Sequence, residues 1–144
     1  MNIAECFEKR LLRRTEPDPN KARRSLEIAK SKLKTAKESF EKELYGPTII
    51  YGYTSMFHSS RALLYKDGIS EKSHYCLVLY IRENYKKDIA PYLINSLDSY
   101  RKERHETLYG LEFIETKKDA SLIIKDAGQL LEKVKEILEK QGFK

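Results

Sequence analysis

The hydrophobic pattern is densest between Thr48 and Lys66, where TIIYGYTSMFHSSRALLYK holds no proline and one charged residue, Arg61, before its final lysine. Ile49, Ile50, Tyr53, Met56, Phe57, Ser60, Leu63 and Leu64 recur at three- and four-residue steps. Tyr51, Ala62 and Tyr65 fill much of the remaining circumference, which predicts a central helix covered on several sides. Gly46 and Pro47 precede it, where proline's fixed φ suits a first turn, and Gly68 stands where a chain leaving a helix often needs φ > 0. A membrane span would put Ser55, His58, Ser59, Ser60 and Arg61 together near the bilayer centre, so the segment reads as a soluble core helix.

The flanking segments repeat the helical period. Ile3 to Arg14 predicts a short amphipathic helix on Ile3, Phe7 and Leu11, with a basic end at Lys9, Arg10, Arg13 and Arg14. TEPDPN then breaks continuity at Pro17 and Pro19, with Asn20 as the expected N-cap of the next helix. From Lys21 to Leu44 the residues Ala22, Leu26, Ala29, Leu33, Ala36, Phe40 and Leu44 form a heptad-like seam. Ser70 or Ser73 can cap a further helix that carries the run Cys76 to Ile81 and ends near Tyr85, its face marked by His74, Val78, Ile81 and Tyr85. Another begins around Pro91, has Tyr92, Leu93, Leu97, Tyr100 and Arg104 on one side, and stops at Gly110. Thr116 and Asp119 then cap a long amphipathic closing helix that reaches Leu138. With no alternating strand pattern and no repeat, the architecture expected is all-α, an antiparallel bundle of four to five helices. The 144 residues suit one domain, 1–144, with 1–16 as a peripheral N-terminal helix.

Composition changes this picture little. Charged residues are 35 % and hydrophobic ones 40 %, as in a folded helical protein. The formal charge is +6, which permits an anionic partner. Arg23, Arg24, Lys30, Lys32, Lys34 and Lys37 line the outer face of the seam helix, interleaved with Glu27, Glu38, Glu41 and Glu43. That mixture reads first as a solvated helix face, and second as a stripe facing RNA. Cys6 and Cys76 are far apart and in no metal-ligand spacing, so neither a disulfide framework nor a zinc site is expected. Glu5 and Glu8 interrupt the N-terminal apolar residues, so no secretory signal is expected and residence is taken as cytoplasmic. No cofactor, metal or membrane partner is expected.

Chemistry concentrates in Tyr100 to Gly110, YRKERHETLYG, near the end of a predicted helix. Arg101, Arg104, His105 and Leu108 project from one broad side at i, i+3 and i+4 spacing. Arginine holds phosphate oxygens bidentately, histidine transfers protons near neutral pH and Tyr109 can donate a hydrogen bond, so the set could handle a phosphodiester. The plainer account has cations gathered at a helix C-terminus because its dipole favours them, while Glu103 and Glu106 pair with neighbours. His58 and His74 read first as hydrogen-bonded structural histidines and second as supporting groups for the Arg104 site.

The order of the seam SLEIAKSKL, the aromatic helix YGYTSMFHSSRALLYKDGI, the following KSH and then RHETLYG resembles the HEPN superfamily, particularly its small stand-alone archaeal and bacterial members, over roughly Asn20 to Lys140. The resemblance implies a helical bundle that commonly dimerises. Many members are metal-independent ribonucleases, or the toxin half of a pair with a minimal nucleotidyltransferase. In active members an arginine with a polar neighbour precedes a histidine by four to six intervening positions, and two copies meet across the dimer to cleave RNA. Arg104 and His105 fit the arginine and its neighbour, but five positions after Arg104 stands Tyr109 where the active pattern has histidine. Arg101 and His105 have only three residues between them. A tyrosine of ordinary pKa near 10 is a poor general base at neutral pH, though a fair acid or phosphate donor. Adenylylation of a tyrosine by the partner is also disfavoured, since that motif places tyrosine two positions beyond its histidine. The expectation is therefore a homodimeric module that binds nucleic acid or nucleotide, with Arg101 and Arg104 on phosphate and a minimal nucleotidyltransferase as candidate partner. The alternatives are a metal-independent RNA endonuclease acting through Arg104, His105 and Tyr109, and a purely structural bundle.

Overall fold

A computed structural model describes residues 1–109 and 115–142, of which 104–109 as backbone only. Among these residues the elements run α1 (Ile3–Glu8), β1 (Leu12–Arg14), α2 (Pro19–Glu41), α3 (Tyr45–Asp67), β2 (Ile69–Glu71), α4 (His74–Tyr85), α5 (Pro91–Tyr109) and α6 (Lys117–Lys140). The protein is all-α, with the five helices α2 to α6 packed into one bundle and, among the described residues, one two-stranded ribbon at its side.

The central helix forms as the pattern requires. Twelve residues of α3 are buried, and Gly68 closes it at φ 74°. A β-carbon on Gly68 would lie 2.6 Å from the Thr15 carbonyl oxygen, so both conformation and space demand glycine. The seam helix α2 lies antiparallel to it, because Ser25 Oγ donates to the His58 carbonyl at 2.7 Å while Ser55 Oγ donates to that of Ala29 at 2.8 Å. Alanine and serine at the seam bring the two backbones close enough for these bonds. The helix begins at Pro19, with Asp18 rather than Asn20 as N-cap, its carboxylate accepting from the Lys21 N–H at 3.0 Å. Proline at the first helical position supplies the reason, since its missing N–H and fixed φ cost nothing there. The helix stops at Glu41, short of Leu44, which is 49 % exposed.

The N-terminal segment departs from the expected helix over Ile3 to Arg14. A capping box between Asn2 and Glu5 starts α1, but Arg10 adopts φ 59° and the chain turns into β1. Leu12, Arg13 and Arg14 pair antiparallel with Glu71, Ser70 and Ile69. Main-chain pairing with a distant segment has overridden the local apolar spacing. Cys6 and Cys76 are joined in a disulfide that ties α1 to α4, contrary to the expectation that the two cysteines do not form one. Their separation of 70 positions in sequence gave no sign of a Cα distance of 5.9 Å.

This ribbon decides where α4 lies. From Gly68 the chain runs back along α3, Glu71 meeting Arg61 at 3.1 Å, so that α4 starts beside Tyr53 and then runs parallel to α3. Its end is fixed at Asp67, whose Oδ2 accepts from the hydroxyls of Tyr80 at 2.8 Å and Tyr85 at 2.7 Å. Ser73 caps α4 through the Cys76 N–H. Thr116 caps α6 through the Asp119 N–H. Helices α5 and α6 run antiparallel, joined by Tyr92 to Gln129 and Ser96 to Asp126. Beside α3, α6 runs parallel, and a β-carbon on Gly52 would stand 2.9 Å from Ile123.

Candidate functional site

The first turn of α4 presents His74 to α3. Its Nδ1 is 2.8 Å from the Tyr53 hydroxyl, and its ring stacks on Phe57 at 4.1 Å between centroids and 20° between planes. Phe57 also meets His58 edge-on at 5.4 Å and carries the Arg61 guanidinium 5.6 Å from its centroid. The retracing of β2 therefore brings His58 and His74 to one aromatic ring. The His58 ring makes no hydrogen bond among the described residues. Burial first, then Arg61 and Lys32, push its pKa below the usual histidine value.

Next to His74, Tyr75 carries the Arg101 guanidinium 5.4 Å from its ring centroid. Arg101 Nε also pairs with Asp98 at 3.0 Å, and Tyr75 donates to the Met1 carbonyl at 3.2 Å. Arg101 is thus held on α5 against Tyr75 of α4, with only part of its donor set engaged. Arg104, His105 and Tyr109 continue the α5 backbone, Arg104 about 4.5 Å further along the axis. Their side chains, and that of Glu106, lie outside the described residues.

The plainer account from the sequence pairs Glu103 with its neighbours; among the described residues the charged groups that act on it are carboxylates. Burial raises its carboxyl, Asp119 and Glu115 raise it further, and its pKa reaches about 7. Tyr100, one turn back, is pushed upward by burial, then by Asp126, Glu103 and Asp119. Both acidic neighbours of Glu103 lie beyond residues 110–114, so no local spacing could have announced the cluster.

The basic outer face of α2 is mixed. Arg23, Arg24, Lys30, Lys34 and Lys37 are exposed, with Glu27 and Glu38 exposed among them, while Lys32 folds back over Tyr51 at 5.6 Å. Among the described residues no three His, Cys, Asp or Glu side chains gather as a metal would need, and no helix is long and apolar enough to cross a membrane.

Comparison with known proteins agrees with the helical arrangement. A protein of Methanocaldococcus jannaschii named "Putative toxin MJ0605" is 27 % identical over 119 residues, which cover 79 % of this chain and 86 % of that one. The HEPN domain family matches residues 22–137, from the start of α2 to the end of α6. A match of that extent, on a five-helix bundle whose segments follow the expected order, places the chain in the HEPN family.

Proposed function

We propose that this HEPN protein is a nucleic-acid- or nucleotide-binding module that works as a homodimer, with phosphate held by Arg101 and Arg104 on α5. The observation that carries the reading is the seat of Arg101: α5 brings its guanidinium against the exposed ring of Tyr75 on α4, with only its Nε in an ion pair among the described residues. A guanidinium seated at the protein surface suits a nucleotide or polynucleotide, whose phosphates accept bidentate bonds. The net charge of +6 favours the same class of ligand. A second copy sharing this edge doubles the cationic groups. The further protein partner in this reading is a minimal nucleotidyltransferase, tested by co-elution of the two purified proteins.

A second reading, a metal-independent RNA endonuclease, is favoured by the Glu103 carboxyl near pKa 7, immediately before Arg104 and His105 in sequence. A group titrating near the working pH is suited to proton transfer, and the relative's printed name is that of a toxin. Incubation with labelled single-stranded RNA in chelator separates the two readings. Retention of intact RNA, lost in Arg101→Ala and Arg104→Ala, supports the binding module. Cleavage that vanishes in His105→Ala supports the endonuclease. Binding and cleavage indifferent to all three substitutions would refute both. Light scattering must also find a dimer, and a strict monomer at high concentration contradicts the shared-edge arrangement.

A further inference from the structure

Behind the aromatic cluster, between α2 and α3, lies a cavity of ≈ 200 Å³ lined by Lys21, Arg24, Ser25, Ile28, His58, Arg61 and Tyr65. Three of these side chains, Lys21, Arg24 and Arg61, carry cationic groups and none is a carboxylate. Lys21 and Arg61 both rest on Tyr65, 5.8 Å and 5.2 Å from its ring centroid. Neither Lys21 nor Arg24 has an ion-pair partner among the described residues, whereas Arg61 pairs through Nε with Glu71, whose side chain is only 5 % exposed. One carboxylate thus stands behind three cations. The cavity retains a surplus of two positive charges and, among the described residues, a histidine ring without a hydrogen bond.

We propose that this cleft is a phosphate subsite, in which Lys21, Arg24 and Arg61 hold the oxygens of a phosphate group and His58 donates a hydrogen bond to it. Ser25 is already committed to the His58 carbonyl, which fixes the backbone beneath the ring. Ile28 and Tyr65 form the apolar wall. The subsite rests on and deepens the phosphate-recognition reading, adding a second cationic site on the α2–α3 side of the bundle, where His58 meets the Phe57 ring that also carries His74. Phosphate can arrive as a free nucleotide or as the backbone of RNA, and the chemistry at the cleft is the same.

An arriving anion changes the electrostatics of His58. Around its ring stand Lys21, Arg24 and Lys32 from α2, Arg61 and Tyr65 from α3 and Glu71 from β2, with His74 of α4 across Phe57. A phosphate among these cations offsets their repulsion of the imidazolium, so binding and protonation of His58 reinforce each other. The experiment follows the His58 ring proton by NMR through a pH titration of the full chain, with the resonance assigned by its loss in His58→Gln. Titrations are run at matched ionic strength in chloride, inorganic phosphate, adenosine monophosphate and a short single-stranded RNA.

The expected result is a midpoint raised by about one pH unit with phosphate-bearing probes relative to chloride, equivalent to roughly tenfold tighter binding by the protonated form. Lys21→Ala/Arg24→Ala should abolish the rise, and since both side chains are exposed the variant keeps its fold. A rise with inorganic phosphate or the mononucleotide assigns the subsite to free phosphates, and a rise confined to RNA assigns it to a polynucleotide track. No rise with any probe, or a rise that survives the double substitution, overturns the proposal. If Arg101→Ala leaves RNA binding untouched while the inorganic-phosphate shift persists, the subsite stands and the α5 reading fails. Loss of RNA binding in Arg101→Ala without any shift at His58 leaves the α5 reading standing and removes the subsite.

Discussion

Reducing the disulfide between Cys6 and Cys76 gives a prediction whose size follows from the chain. The bond closes a loop spanning a sequence separation of 70. In the chain-entropy treatment a loop of that length removes about 15 cal/mol/K from the unfolded ensemble, or about 4.4 kcal/mol at 25 °C. Against an unfolding entropy of about 2.1 cal/mol/K per residue, this corresponds to a melting temperature lowered by about 15 °C. Both sulfur positions are fully buried, so free thiols would occupy the same space with little change in packing. The assay is reversible thermal or urea unfolding with and without reductant, alongside Cys6→Ser/Cys76→Ser, with thiol titration confirming the redox state. Oxidised and reduced protein melting within about 2 °C of each other would refute the reasoning, as would free thiols in the native oxidised protein.

Other consequences are smaller in scope. Asp67→Ala strands the hydroxyls of Tyr80 and Tyr85, which are 8 % and 5 % exposed, and should cost about 3 kcal/mol in urea unfolding. Tyr80→Phe should cost markedly less. Gly52→Val drives a branched side chain into Ile123 across the α3–α6 contact, and should lose about 1 to 3 kcal/mol, with partial recovery on adding Ile123→Ala. The folded-state pKa of Glu103, about 7, lies above its ordinary 4.5, so the native state holds a proton that the unfolded chain releases between those values. Its contribution to stability therefore falls as pH rises from about 4.5 to 7, and Glu103→Gln should flatten the stability profile across that window.

The parts of the fold that can be read from spacing are those held by local periodicity. The apolar circumference of α3, the small-residue seam of α2 and the threonine cap of α6 follow from side chains three or four positions apart. The N-terminal ribbon is held by main-chain pairing between Leu12–Arg14 and Ile69–Glu71, which carries no side-chain period. The spacing of Phe7 and Leu11 consequently suggested more helix than forms. The same ribbon returns the chain along α3 and sets His74 on Phe57, so the meeting of two histidines was invisible in a sequence that separates them by sixteen positions. Arg101 was recognisable from its basic, polar context, but its seat on Tyr75 depends on α4 and α5 lying side by side. The carboxylates around Glu103 and the cations around His58 likewise come from different helices.

Phosphate recognition at α5 is the central claim, and the salt dependence of RNA binding tests it directly. Equilibrium binding of a short single-stranded RNA, measured by anisotropy over a range of salt concentrations in chelator, should give a steep inverse dependence. Arg101→Ala and Arg104→Ala should each weaken binding and reduce the slope by about 0.7, the loss of one phosphate contact on a single strand. Binding that is insensitive to salt, or slopes unchanged in both variants, would contradict the claim.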